Sequence, residues 1–123
     1  MARLASHYLF NGSFRRLSYV ELDAEGNYLG TFPLDEERAC TSFYNGFLLV
    51  LPVGLSFLWE HVWAQIKGES FDSYPALGER LGHLLPAWEL LGGESVRVLH
   101  LTLHPFAASE LGTYNSRRDG HVE

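Results

Sequence analysis

His100 and His104 stand four residues apart, a spacing that could hold a metal ion. On a helix, side chains at i and i+4 lie one above the other and can chelate one ion. On a strand the same four residues span ~13 Å, too far for one ion. The run Val98-Leu99-His100-Leu101-Thr102-Leu103-His104 alternates as a strand does, which puts both histidines on its more polar face. Glu60 and His61 form a second candidate, as an acid/base pair or with His61 as a further metal ligand. Adjacent helical residues do not face each other, so the bland reading is two surface residues beside two tryptophans. Cys40, the single cysteine, could be a nucleophile with a distant histidine; in a small domain it is more often a small buried hydrophobe. Trp59 and Trp63, one turn apart, and Trp88 could line a ligand pocket or an interface, or fill the core between helix and sheet. Gly78 and Gly82 have a spacing that suits close helix approach, with no phosphate loop, zinc-knuckle set or nucleophile elbow beside them.

The elements that would position these residues begin as a β-meander. Ala2–Phe10 is rich in strand formers and is followed by Asn11-Gly12, a hairpin signal. Arg16–Asp23 reads as a second strand, with Leu17 and Tyr19 on one face and Val20 and Leu22 on the other. Tyr28–Leu34 is a third strand, and Ala39–Tyr44 a short fourth. Asn45-Gly46 reads as another turn, and Phe47–Val53 as a fifth strand, apolar enough for burial on both faces. The period then changes to 3.6. Leu55, Leu58, Trp59, Val62, Trp63 and Ile66 form one helical stripe, with Ser56 as N-cap and Gly68 as the stop. Ser73-Tyr74-Pro75 opens a second helical region that keeps phase to Leu91, with a kink or break expected at Pro86. Ser95–Phe106 reads as one last strand.

Composition narrows the function classes. The chain has 123 residues, 46% hydrophobic and 14% aromatic, with a net charge of −6. That suits one globular domain with a real core. No basic stripe is present, which argues against nucleic acid as a partner. The longest apolar run, Phe47 to Trp59, contains Pro52 and Gly54 and falls short of the ~20 residues of a membrane span. One cysteine and no secretory-type leader point to a reducing, cytoplasmic setting.

Two stretches carry a family resemblance. One is Arg3-Leu4-Ala5-Ser6-His7-Tyr8-Leu9-Phe10 followed by Tyr19-Val20-Glu21-Leu22-Asp23; the other is Ser42-Phe43-Tyr44-Asn45-Gly46-Phe47 followed by Leu51-Pro52. Together they resemble the N-terminal β-sandwich domain of amidohydrolase-superfamily metal-dependent hydrolases. In that family, Pro-Gly leads into a barrel strand ending in a His-x-His metal pair. Here the Pro-Gly is split as Pro52-Val53-Gly54, and the pair falls on Trp59-Glu60-His61, with one histidine replaced by tryptophan. The residues after Gly54 are too few for a (β/α)8 barrel, which needs more than ~200. The resemblance therefore implies the accessory β-domain without its catalytic partner.

The expected fold is α+β: a mostly antiparallel sheet or small sandwich of five or six strands with one or two helices packed on it. Residues 1–111 form one domain, divided into a meander (1–54), a helical insert (55–92) and a closing strand (95–106), with a flexible tail at 112–123. The closing strand is expected to rejoin the N-terminal strands. The leading expectation for function is non-catalytic: binding or assembly, with a second copy or another protein as partner, no nucleic acid, no membrane and no cofactor. A small metal-dependent hydrolase acting on C–N bonds is the first alternative. It would use Glu60 and His61 with His100 and His104, and zinc or iron. The other alternative is a small-molecule sensor with a pocket lined by Trp59, Trp63 and Trp88.

Overall fold

β4 (Thr41–Pro52) dictates the rest of the architecture. Its residues Phe47 to Leu51 are all apolar and all fully buried, so both faces of the sheet around it must be covered. The computed structural model describes residues 2–35 and 41–113. Cys40, the start of the expected fourth strand, and the tail beyond Thr113 lie outside the described residues. The remaining elements are β1 (Ala2–Phe10), β2 (Phe14–Leu22), β3 (Tyr28–Pro33), α1 (Ser56–Ile66), α2 (Tyr74–Leu84), β5 (Val96–Leu103) and β6 (Phe106–Thr113). The protein is α+β, with one six-stranded sheet in the order β3-β2-β1-β4-β5-β6. Every neighbouring pair is antiparallel except β1 and β4, which are parallel.

One face of this sheet carries Phe47, Leu49, Leu51, Leu99, Leu101 and Leu103, and both helices pack there. Of the expected α1 stripe, Trp59, Val62 and Ile66 are buried, and Leu58 and Trp63 are partly so. Ser56 is the first helical residue rather than a cap. α2 starts as expected: Ser73 Oγ accepts the Ala76 N–H at 3.3 Å, with Pro75 in the first turn.

The second face buries Leu4, Leu9, Val20, Leu22, Tyr28, Leu48, Val50, Val96 and Val98. Both helices lie on the other side. Here the sheet covers itself by curling. In a flat sheet β3 and β5 would stand four strand spacings apart, ~19 Å. Instead the Tyr28 N–H donates to Glu94 O and the Gly93 N–H donates to Tyr28 O, each at 2.7 Å. Asn27 also pairs with Ser95 as an isolated antiparallel bridge. The chain between α2 and β5 adds further cover, with Leu90 packed against this second cluster.

Five expectations change here. Asn45-Gly46 is not a turn between two strands but an irregularity inside β4: Ser6 faces Tyr44 while Tyr8 faces Phe47, so one residue of β1 stands against two of β4. Gly46 has φ +112°, and a Cβ there would lie 2.7 Å from Leu101 O and 3.0 Å from Tyr74 Oη. The expected alternation in β2 fails because Leu17 adopts φ +44°. Leu17 is left 45% exposed, while Tyr19 is buried. α2 does not run to Leu91. Leu85, held extended at ψ 144° before Pro86, ends it, as the steric rule for residues preceding proline requires. The single closing strand is two strands, β5 and β6, joined at His104-Pro105, and β6 includes Gly112 and Thr113 from the expected tail. β5 rejoins the N-terminal strands only through Asn27; its neighbours are β4 and β6.

Gly46→Ala should destabilise the protein by about 1–3 kcal/mol, seen as a lower denaturant midpoint with an unchanged slope. Gly54→Ala, where an added Cβ meets nothing within 4 Å, should stay within about 0.5 kcal/mol of the parent.

Candidate functional site

The histidines and carboxylates singled out from the sequence do not converge. His61 is exposed on α1, on the helix-covered side of the sheet. His100 alternates with Val96 and Val98, whose side chains enter the opposite cluster, so the sheet separates it from His61. The His100 Nε2–H donates to Asn45 O at 2.6 Å, which satisfies the carbonyl beside the β4 irregularity. Its ring also packs against Tyr44. His104 is exposed in the β5–β6 turn. Glu60 accepts from Arg97 Nη2 at 3.3 Å. Arg97 also bonds Glu110 at 2.9 Å and the Ser56 carbonyl at 3.3 Å, so Glu60 belongs to a cross-tie between α1, β5 and β6. Hydrogen bonding to Glu110, more than that to Glu60, raises the Arg97 pKa further. Among the described residues no three His, Cys, Asp or Glu side chains are grouped to hold a metal ion. No described helix is long and apolar enough to cross a membrane.

The tryptophans divide. Trp59 and Trp63 stack with ring centres 5.7 Å apart, and Trp63 meets Phe106 at 5.2 Å, as core between α1 and the sheet. Trp88 lies apart from them, against Phe10 at 5.6 Å. It lines an open groove of about 610 Å³ together with Asn11, Ser13, Arg15, Tyr28, Ala87, Glu89 and Leu90.

Four segments build this groove, one of them the start of β3, which supplies Tyr28. The β1–β2 loop supplies Asn11 and Ser13. Gly12, at φ +105°, lets the loop press onto the chain after α2: a Cβ there would sit 2.2 Å from Trp88 O. β2 supplies Arg15, which pairs across the strands with Leu9 and so shares its curled face. The strap from Leu85 to Ser95, released from the helix by Pro86, supplies Ala87 to Leu90. Polar groups converge at the mouth. Asn11 Nδ2 donates to Thr31 Oγ1 at 3.0 Å, and the Tyr28 and Thr31 hydroxyls are 2.7 Å apart. Asn11 Oδ1 accepts from Arg15 Nε at 3.4 Å. The Trp88 indole N–H is buried with no hydrogen-bond partner among the described residues. Such a group costs stability until an acceptor meets it.

Tyr28 is held in place by the turn before it. Asp23 Oδ1 accepts the Asn27 N–H at 2.8 Å and the Glu25 N–H at 3.0 Å. These bonds, the Asn27 one foremost, hold the Asp23 carboxyl below the ordinary aspartate range against a smaller opposing effect of desolvation.

Of these residues the sequence reading picked out Trp88 alone as a site candidate. Asn11 and Gly12 carried a turn signal, and Pro86 a helix-break signal. Nothing local marked Arg15, Tyr28 or Glu89 as parts of one site. Comparison with protein-family models, curated proteins and solved structures found no match.

His100→Ala should cost about 1 kcal/mol by leaving the Asn45 carbonyl without its donor. His61→Ala should fall within about 0.5 kcal/mol of zero in the same denaturation assay. Because the folded-state pKa of Asp23 is depressed, its contribution is present above the unfolded pKa and is lost as pH falls through the folded one. Asp23→Asn should therefore flatten the acid side of the stability–pH curve and leave its neutral-to-alkaline shape unchanged.

Proposed function

We propose that this protein is a non-catalytic domain that binds a small molecule in the groove between the β1–β2 loop, Tyr28 and the Trp88 strap. The observation that carries this reading is an open groove lined by Trp88, whose indole N–H is buried with no hydrogen-bond partner among the described residues. Asn11, Ser13, Arg15 and Tyr28 present polar groups around the same opening. The groove falls within the ~300–1,000 Å³ range of small-molecule sites. A hydrolase centred on His61 and His100 is not favoured, since the sheet stands between them. The likeness to the amidohydrolase β-domain rests on the sequence stretches alone. A β-domain without its barrel would act by binding, which agrees with this proposal. A reducing, cytoplasmic setting belongs to the same proposal.

A thermal-shift screen of nucleobases, amino acids and aromatic metabolites tests it. A ligand of the native state raises Tm with concentration, by ~2.7 kcal/mol of stability at a hundred times its Kd. Ala87→Trp, which puts a large side chain into the groove from an exposed position, should abolish that rise. If no compound shifts the parent, or if the shift survives Ala87→Trp, this reading fails.

Assembly is supported by a different observation. Phe32, Tyr19, Ala5 and Phe43 are register partners in one row across four strands. Phe32 and Phe43 at its ends are 40% and 46% exposed. A second copy covering this row would make a dimer that Phe32→Ser with Phe43→Ser dissociates in sedimentation. A parent that sediments as a monomer removes this reading.

A further inference from the structure

The groove carries one charge of each sign. Arg15 reaches it from β2 and Glu89 from the strap, both exposed. They form no ion pair with each other, and neither is ion-paired elsewhere among the described residues. Arg15 spends its Nε on Asn11 Oδ1, which leaves the two terminal guanidinium nitrogens as a fork that matches a carboxylate. A carboxylate such as Glu89 accepts only, and suits an ammonium. Ala87, Trp88 and Leu90 line the same groove.

Resting on the binding reading above, we propose that the ligand is a small zwitterion, an amino acid or a short peptide. Its carboxylate is held by Arg15, its ammonium by Glu89, and its apolar side chain lies along Ala87, Trp88 and Leu90. A ligand with one charge would leave either Arg15 or Glu89 without a counter-charge. An uncharged ligand would displace water from both and return nothing for it. Recognition through opposed charges selects for the simultaneous presence of both groups.

Calorimetric titration of the full chain tests this with five probes: phenylalanine, the dipeptide Leu-Phe, phenethylamine, phenylpropionate and the neutral phenylpropionamide. Glu89→Gln is isosteric, Arg15→Gln shortens the side chain, and both positions are exposed, so their melting curves should match the parent. The expected result is binding of phenylalanine or the dipeptide at least about tenfold tighter than any singly charged or neutral probe. Which of the two binds more tightly distinguishes a free amino acid from a peptide. Arg15→Gln should weaken the zwitterion and phenylpropionate together. Glu89→Gln should weaken the zwitterion and phenethylamine and leave phenylpropionate unchanged. If phenylpropionate or the amide binds as tightly as phenylalanine, or if Glu89→Gln leaves zwitterion affinity intact, the zwitterion assignment is overturned while the groove stands as a binding site. If none of the five binds, the assignment is also overturned, and the wider thermal-shift screen with Ala87→Trp decides separately whether the groove binds anything.

Discussion

A sheet that is apolar on both faces and has helices for only one of them must find cover for the other. That constraint organises this protein. Leu48 and Val50 of β4 point away from the helices, yet both are fully buried. The curling that brings Tyr28 to Glu94 is what removes them from water. The helices, by contrast, solve an ordinary problem, laying a stripe of Trp59, Val62 and Ile66 on the first face. At ~0.8 kcal/mol per buried methylene, neither cluster could be left open in a chain of this size. The groove is where the self-made cover stops short: it opens where the curled face meets the β1–β2 loop and the strap.

The backbone irregularities belong to that same curvature. Leu9 and Leu4 both enter the second cluster although they are five residues apart, an odd separation that regular alternation forbids. The same failure appears in β2, where Phe14 packs on the helix side and Val20 on the other, with Leu17 at φ +44° between them. In β4 the extra residue falls at Asn45-Gly46. The three deviations sit side by side across adjacent strands and mark one bend line. Strands change face at such bends in folded-over sheets. His100 and Tyr74 stand at this line, one bonding the freed Asn45 carbonyl and the other receiving the Leu103 N–H.

What could be read in the sequence follows from which signals are local. β1 is marked by its own residues and found at the expected bounds, and α1 by the 3.6-residue stripe. The α2 start needs only Ser73 and Pro75. Asn45-Gly46 is different in kind. A glycine at positive φ serves a hairpin and a bulge equally well, and the choice here depends on Leu101 and Tyr74, more than twenty residues away. Pro86 announced a break, but not whether the chain would kink or leave the helix; Trp88 and Leu91 keep helical phase, yet Trp88 packs on Phe10 and Leu91 is exposed. β6 was missed because Ala107, Ala108 and Ser109 carry no period-two contrast. The groove has no local signature, since its walls come from residues 11–15, 28 and 87–90.

The strap between α2 and β5 has a consequence for how this architecture tolerates change. It leaves the helix-side cluster at Leu85, rounds the end of the sheet against Gly12, and is tied to Tyr28 by Gly93 and Glu94 before β5 begins. It is therefore a tether of fixed contour length joining the two faces. Strand register is set elsewhere, by β4 and its neighbours. An insertion or deletion within residues 86–92 would leave the pairing of strands intact and alter the radius of the curl, so that homologous proteins with different strap lengths would share this sheet and differ in the width of its mouth.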